Sequence, residues 1–253
     1  MIGVYDSGSG GLTVLKAIRE KAPEADIIYF GDLKNAPYGN KSREELGALT
    51  VLGIQKLIDE GATEIVSACN SVSVSIVLPM FEILNIPHAN LIEMVGPTVA
   101  SLKDPANKVL VVATRATIDS GAYQEGFRMV GTQADGLAIP DLVTSIEAGA
   151  PEEHMEEMVR EAITPMLKHG YSHLVLGCTH YPLVRHIFDK VVAEVERKTL
   201  VVDPAYPVAD AVVQRFGTEG KGTTRFLVSQ KSDVFSHFVR IHLRDAEPNI
   251  EIV

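Results

Sequence analysis

The chain has 253 residues, of which 46% are hydrophobic and 22% are charged, and its formal net charge is −10 at pH 7. This length and composition predict a globular protein of one large or two modest domains, and the acidic balance argues against a nucleic-acid partner. The sequence shows no 18-residue apolar run, no secretory leader and only two cysteines, so we expect no membrane span, no disulfide framework and a cytoplasmic location.

Strand and helix patterns alternate from the start of the chain. Short β-branched and aliphatic runs predict strands at 2–5, 27–30 and 65–68. A glycine-rich turn at 7–11 leads into a helix that begins near Leu12. Ser42 and Glu45 have the spacing of a capping box, which predicts a helix from Ser42 to about Glu60.

The second half of the chain repeats this order of elements. Predicted strands lie at 88–92, 108–112, 135–139, 174–177 and 200–202. A Gly-Pro turn at 96–97 opens one helix, and another runs over 151–168 with Pro165 bending its last turn. We therefore predict an α/β fold with two pseudo-symmetric three-layer domains, mostly parallel sheets and the active site in the cleft between them. The first domain would comprise 1–94 plus 209–253 and the second 95–208.

Both cysteines follow a predicted buried strand and precede polar residues. Cys69 ends the run at 64–68, and Cys178 ends the run at 174–177. Ligands of open α/β sheets bind beyond the carboxyl ends of the strands, so we expect both thiols at the functional edge. Each also precedes a predicted helix, and a helix N-terminus favours an accessible thiolate near neutral pH. The alternative is that both are small buried hydrophobic residues.

Two thiols facing one cleft are compatible with three chemistries. A redox pair is disfavoured because the chain has no Cys-x-x-Cys motif. A metal site is disfavoured because no tetrahedral ligand set and no His pair at i, i+4 accompanies the cysteines. Acid/base catalysis from opposite faces of one carbon needs two groups matched in pKa, which two identical residues provide. Such an arrangement inverts a stereocentre.

The glycine-rich turn is a second candidate for ligand binding. A strand-to-helix turn of this kind offers backbone N–H groups to an anion. It lacks the Gly-Lys-Ser/Thr ending of a P-loop and the G-x-G-x-x-G spacing, so nucleotide binding is not expected. Binding of a carboxylate by Ser7, Asn70, Ser71 and Thr179 has better support, because all four follow predicted strands.

Three further titratable residues at strand ends or in loops are candidates to orient the thiols or to move their protons. They are Asp6, Glu147 and His180. The structural alternatives are a helix cap for Asp6, a solvated loop carboxylate for Glu147 and a buried structural imidazole for His180. Tyr38 lies in a Pro-Tyr-Gly turn, and its phenol is a candidate to close the pocket.

Several segments together resemble glutamate racemases, which belong to the cofactor-independent aspartate/glutamate racemase superfamily. They are 6–13, 36–42, 68–71, 113–117 and 176–183, and they run through almost the whole chain. The resemblance implies interconversion of L- and D-glutamate without pyridoxal phosphate, metal or another cofactor. It also implies a supply of D-glutamate for peptidoglycan and a homodimer.

The resemblance assigns roles to residues of this chain. Cys69 would deprotonate one enantiomer and Cys178 the other, with Asp6 assisting Cys69, and with Glu147 and His180 assisting Cys178. The substrate's charged groups would be held by a set of polar and turn residues: Ser7, Pro37, Tyr38, Gly39, Asn70, Ser71, Thr114, Thr117 and Thr179.

Other functions remain open on the sequence. The nearest is the same chemistry on another acidic amino acid such as aspartate. A second is a non-catalytic protein that binds an amino acid in the same cleft. The last is a redox role, which would require a reversible disulfide between Cys69 and Cys178 and movement of the two domains.

Overall fold

The computed structural model describes residues 1–76, 78–196, 198–243 and 248–253. Its strands are β1 Ile2–Asp6, β2 Ile27–Gly31, β3 Glu64–Ser67, β4 Leu91–Ile92, β5 Lys108–Ala113, β6 Gln133–Ala138, β7 His173–Gly177, β8 Leu200–Val202, β9 Thr224–Val228 and β10 Ile250–Ile252. Its α-helices are α1 Leu12–Lys21, α2 Arg43–Asp59, α3 Asn70–Ser73, α4 Leu78–Leu84, α5 Val95–Ser101, α6 Arg115–Asp119, α7 Ala122–Met129, α8 Leu142–Glu147, α9 Glu152–Leu167, α10 Arg185–Val195, α11 Ala205–Arg215 and α12 Asp233–Leu243.

The strands form two sheets, and every pairing among the described residues is parallel. The first sheet has the order β10-β9-β2-β1-β3-β4, and the second has the order β6-β5-β7-β8. In the first sheet Ile2 is in register with Ile27 and Glu64, and β9 pairs with β2. The predicted α/β fold with mostly parallel sheets is therefore confirmed. We call the parts built on these sheets the first half and the second half.

The central strands β1, β2, β5 and β7 are buried on both faces, which explains why they read as nearly continuous apolar runs. In the first sheet Val4 packs into the core beneath α1 and α11, whereas Tyr5 packs into the core beneath α2 and α4. In the second sheet Leu110 packs under α9 and α10, and Val111 packs under α5 and α7. Successive side chains point to opposite faces, so each half has three layers.

The last segment crosses back to complete the first sheet through β9 and β10. Helix α11 also belongs to the first half, because Ala205 and Val208 join the core around α1. Judged by packing, the chain therefore passes from the second half to the first half before α11, a few residues earlier than the predicted boundary at 208/209. The boundaries themselves stay predictions.

Side chains cap the N-termini of helices α2 and α5. The Ser42 hydroxyl accepts a hydrogen bond from the Glu45 N–H, and the Glu45 carboxylate accepts one from the Ser42 N–H, so the predicted capping box is present. The Gly-Pro pair at 96–97 lies inside α5 rather than before it. Glu93 accepts hydrogen bonds from the Val95 and Gly96 N–H groups and caps that helix two residues earlier than predicted.

Candidate active site

A cleft of about 720 Å³ separates the carboxyl ends of the two sheets. Loops after β1, β2 and β3 form one wall, and loops after β5, β6 and β7 form the other. Both cysteines and most of the predicted binding residues line it: Ser7, Pro37, Tyr38, Gly39, Cys69, Asn70, Ser71, Thr114, Glu147, Cys178, Thr179 and His180. This placement follows from the rule for open parallel sheets.

Two predicted site residues lie behind the lining of the cleft. Asp6 is fully buried, and Thr179 Oγ1 donates to its Oδ2 at 3.5 Å. Thr117 is also fully buried, with its hydroxyl 3.2 Å from that of Thr114. Both can act only through the residues in front of them.

Cys69 is a buried thiol, and this overturns the expected accessible thiolate. Burial, followed by the negative charge of Asp6, raises the pKa of Cys69 to about 12. Helix α3 after Cys69 has only four residues, so its dipole is weak. Among the described residues, the side chain that hydrogen-bonds to the Cys69 thiol is that of Ser7, whose Oγ lies 3.5 Å from Sγ.

Cys178 has different surroundings. It follows β7 directly, but a turn and a 3-10 helix at Tyr181–Val184 come next, and α10 begins only at Arg185. The expectation that Cys178 opens a helix was therefore wrong. The Cys178 thiol lies next to the imidazole of His180, and this contact raises the pKa of His180.

His180, which is buried, forms an ion pair with Glu147, whose side chain is 36% exposed. His180 Nε2 lies 2.9 Å from Glu147 Oε1. Burial lowers the pKa of His180, but contact with Cys178 and the hydrogen bond to Glu147 outweigh burial and raise it to about 10. The same hydrogen bond lowers the pKa of Glu147. At neutral pH the cleft wall therefore holds an imidazolium beside Cys178 and the carboxylate of Glu147 paired with it.

The glycine-rich turn serves a different purpose from the one expected. The N–H of Gly8 donates to Asp6 Oδ1 at 2.8 Å, and the N–H of Gly11 also binds the Asp6 carboxylate. Burial nevertheless raises the pKa of Asp6. The anion that this turn holds is thus the chain's own side chain. At Gly10 a Cβ atom would lie 2.5 Å from His180 Nδ1, so glycine permits the close approach of the two halves.

Asn70 and Ser71 line the cleft from the start of α3. Asn70 Oδ1 accepts a hydrogen bond of 2.7 Å from the Tyr123 hydroxyl. Asn70 Nδ2 is buried and has no partner within the described structure. Ser71 Oγ lies 3.1 Å from Thr114 Oγ1 in the second half. The Asn70 amide is therefore an unused donor at the edge of the cleft.

The loop after β2 carries Tyr38 into the cleft wall. Its hydroxyl does not close the pocket as expected, because it donates to Asp32 Oδ2 at 2.6 Å and lies 2.8 Å from the Tyr5 hydroxyl. Burial raises the pKa of Tyr38, so it stays a neutral phenol. A Cβ atom at Gly39 would lie 2.8 Å from Thr114 Cβ, so this loop also packs closely on the second half.

Sequence reasoning missed several residues of the site. Ser9 Oγ donates to Glu147 Oε1 at 3.1 Å and lies 3.4 Å from His180 Nε2, which ties the first half to the ion pair. Arg115 and Asp141 line the cleft, and Asp141 has a φ of 63°, a left-handed conformation that is uncommon outside glycine. The hydroxyl of Ser9 between two glycines was the available signal; nothing in the sequence pointed to the other two.

Two searches of the described residues give negative results. Across 1–76, 78–196, 198–243 and 248–253, no group of three or more His, Cys, Asp or Glu side chains is arranged to hold a metal ion. In the same ranges no helix has the length and apolar character needed to cross a bilayer.

Comparison with known proteins gives consistent similarities. Residues 11–212 match the Asp/Glu/Hydantoin racemase family. The glutamate racemase of Aquifex aeolicus is 32% identical over 250 residues, covering 98% of this chain and 96% of the relative. A glutamate racemase isoform from Bacillus anthracis has a TM-score of 0.87 at 27% identity, covering 100% of this chain and 97% of its own. A Francisella tularensis glutamate racemase solved with D-glutamate has a TM-score of 0.86 at 30% identity, covering 100% and 96%.

Proposed function

Because the chain belongs to the Asp/Glu/Hydantoin racemase family and is a racemase, we propose that it interconverts L- and D-glutamate with two thiols and no cofactor. The observation that carries this proposal is the placement of Cys69 and Cys178, one from each half, in the lining of a single cleft. Glutamate is the substrate named for the full-length relatives at 30% identity or more, and one of them was solved with D-glutamate.

In the proposed reaction one cysteine thiolate removes the α-proton of the bound amino acid. The electron pair of the C–H bond stays on the α-carbon, and the thiol of the other cysteine donates its proton to the opposite face. The product has the inverted configuration, and the two cysteines have exchanged protonation states. The reverse reaction uses the same two groups with their roles exchanged, which is why a racemase needs both.

The two cysteines have different charged neighbours, and in this proposal they begin the reaction in different roles. With its pKa raised to about 12, Cys69 is the thiol and therefore the proton donor in the empty cleft. Cys178 lies beside His180, whose pKa is raised to about 10, and it takes the role of the base in this direction. The substrate ammonium would offset the negative charge of Asp6 near Cys69 and make the reverse direction accessible.

The carbanion needs strong stabilisation, because a proton next to a carboxylate is a very weak acid. Preorganised donors directed at the developing charge are often the largest catalytic contribution. Ser7, Asn70 and Thr179 line the cleft beside the cysteines and supply such donors to the substrate carboxylate. Thr117 would act behind Thr114, and the loop with Pro37, Tyr38 and Gly39 would close around the side-chain carboxylate.

The proposal is tested by proton NMR of L-glutamate, and separately of L-aspartate, with the purified protein in deuterated water. We expect loss of the α-proton signal of glutamate and formation of D-glutamate. Cys69→Ser and Cys178→Ser should each lower racemisation at least about a hundredfold, because a serine hydroxyl is a far weaker acid than a thiol and does not ionise near neutral pH to act as the base. Normal turnover in either variant would exclude the two-thiol mechanism.

The alternatives give different results in the same experiment. Faster exchange of aspartate would assign the enzyme to the other acidic substrate. A thermal shift with glutamate and no exchange would indicate a binding protein. Loss of both free thiols on mild oxidation, with recovery on reduction, would indicate the redox role.

The cellular part of the proposal is a supply of D-glutamate for peptidoglycan by a cytoplasmic homodimer. Expression of the chain in bacteria that require added D-glutamate should restore their growth, whereas the Cys69→Ser variant should not. Sedimentation at several concentrations would measure the assembly state, and a monomer at all concentrations would exclude the homodimer.

A further inference from the structure

The contact between Tyr123 and Asn70 connects the two halves directly behind the cleft. Tyr123 lies on α7 and its ring packs in the core of the second half near Phe127. Its hydroxyl donates to Asn70 Oδ1 at 2.7 Å, and Asn70 opens α3 of the first half. Both side chains are buried, with exposed fractions of 0% and 2%.

The Asn70 amide has two ends of opposite polarity, and only one of them is satisfied. Tyr123 satisfies the carbonyl oxygen, whereas Nδ2 is buried without a partner in the part of the chain that the structure describes. A buried donor without a partner is destabilising, so such groups are uncommon unless a ligand completes them. Asn70 lines the cleft, where a bound carboxylate is a suitable acceptor.

We propose that Tyr123 is a positioning residue, which fixes the Asn70 amide so that its N–H₂ group faces the substrate carboxylate. The inference rests on the proposed function and deepens it by adding a residue that never touches substrate. If the amide were rotated by half a turn, its carbonyl oxygen would face the carboxylate and repel it. A phenol that donates its hydrogen to Oδ1 disfavours that rotation.

The donor must stay neutral to do this, and its environment keeps it so. Burial raises the pKa of Tyr123, and the nearby carboxylate of Glu93 raises it further. Because Tyr123 and Asn70 come from different halves, the amide is held in this orientation only when the halves are in the observed arrangement. Orientation of the donor is thereby coupled to the geometry of the cleft.

The test is a double-mutant cycle measured with glutamate. Tyr123→Phe removes the hydroxyl and retains the ring, and we expect kcat/KM to fall about tenfold. Asn70→Ala should lower kcat/KM more strongly. In the Asn70→Ala background, Tyr123→Phe should change kcat/KM less than about twofold, because Tyr123 acts through Asn70. An equal loss in both backgrounds would show a merely structural role and overturn the inference.

Tyr171→Phe is the matched control. Tyr171 is also buried, and its hydroxyl donates to Asp135 Oδ2 at 2.7 Å, away from the cleft lining. This control loses one comparable hydrogen bond and should keep the wild-type kcat/KM. Circular dichroism and thermal unfolding of all variants would verify that each is folded.

Failure of the proposed function can be distinguished from failure of this inference. If the wild-type protein racemises glutamate and Tyr123→Phe matches it, only the inference fails. If the wild-type protein turns over no acidic amino acid, the side-chain amide resonances of Asn70, identified by their loss in Asn70→Ala, replace kinetics as the readout. We then expect one sharp pair in the wild type and a broadened or doubled pair in Tyr123→Phe. Identical spectra would overturn the inference.

Discussion

The two cysteines have similar positions in the sequence but opposite electrostatic neighbours in the structure. Cys69 lies near the buried carboxylate of Asp6, and Cys178 lies near the imidazolium of His180. A strand-end position therefore predicts where a thiol lies but not its protonation state, because the latter depends on charges contributed by other strands. In the proposed reaction this difference selects which cysteine begins as acid and which as base.

The influence of Asp6 on Cys69 can be measured by alkylation. In a Cys178→Ser background Cys69 is the single thiol of the chain. Because its pKa is raised to about 12, we expect slow reaction with iodoacetamide at pH 8 and a rate that keeps rising with pH well above pH 9. Adding Asp6→Asn removes the nearby negative charge, which lowers the pKa of Cys69, and should speed alkylation severalfold.

Asp203→Asn in the same background is the control for this prediction. Asp203 is a partly buried carboxylate whose pKa is also raised by burial, and it accepts a hydrogen bond from the Ala205 N–H away from the cleft. It should leave the alkylation rate of Cys69 unchanged. Equal rates with and without Asp6→Asn would show that burial alone raises the pKa of Cys69.

Among the elements, α2 illustrates how a glycine can set the distance between a helix and a sheet. A Cβ atom at Gly53 would lie 2.2 Å from Cζ of Tyr5, whose buried ring stacks on Phe30. The Tyr5 hydroxyl is also fixed, at 3.0 Å from the Leu49 carbonyl oxygen and 2.8 Å from the Tyr38 hydroxyl. The ring therefore has no space into which it can move. Tyr38 belongs to the loop after β2, which forms part of one wall of the cleft.

Gly53→Ala should therefore destabilise the protein although alanine favours helices. Overpacking costs about 1–3 kcal/mol, and the helix propensity of alanine returns about 1 kcal/mol, so we expect a net loss of up to about 2 kcal/mol in urea unfolding. Gly47→Ala in the same helix is the control, because its nearest neighbour beyond the helix would be Met80 Cε at 3.5 Å, an ordinary contact. It should stabilise by up to about 1 kcal/mol. Equal effects at both positions would contradict the packing argument.

What the sequence predicts at the element scale is local, and what it misses is nonlocal. The capping box of Ser42 and Glu45 and the strands before Cys69 and Cys178 depend on neighbouring residues, and the structure contains them. The roles of Ser9 and Tyr123 depend on partners more than fifty residues away in the other half. No periodicity or motif encodes such a contact, so the structure was required to find it.

At the scale of the whole molecule, polar contacts join the two halves around the cleft. Ser9 binds Glu147, Thr13 Oγ1 donates to the Thr179 carbonyl oxygen at 3.1 Å, and Ser71 meets Thr114. Polar contacts of this kind can be broken and remade at a smaller cost than an apolar core, because water replaces the lost partners. This suits an enzyme that must admit its substrate and then exclude water from the carbanion.

The contacts of buried His180 with Cys178 and Glu147 should make the stability of the whole molecule depend on alkaline pH. The pKa of His180 is raised to about 10 in the folded protein from about 6.5 in the unfolded chain. Its contribution is therefore fully present below about pH 6.5 and is lost as pH rises through about 10. Between these values the folded state binds the extra proton, so the free energy of unfolding falls on the order of 1 kcal/mol per pH unit.

Urea unfolding from pH 6.5 to 9.5 would measure this contribution by comparison with His180→Gln. We expect the difference in the free energy of unfolding between the wild type and His180→Gln to shrink steadily as pH rises, because only the wild type loses that proton. His186→Gln removes a second His–Glu pair, in which His186 Nε2 lies 3.1 Å from Glu152 Oε1 and the two side chains are 59% and 65% exposed. Since solvent screens an exposed pair, its difference from the wild type should stay nearly constant over this range. Parallel pH profiles for the wild type and His180→Gln would mean that His180 is neutral in the folded protein, and Cys178 would then lack the cation that the proposed base requires.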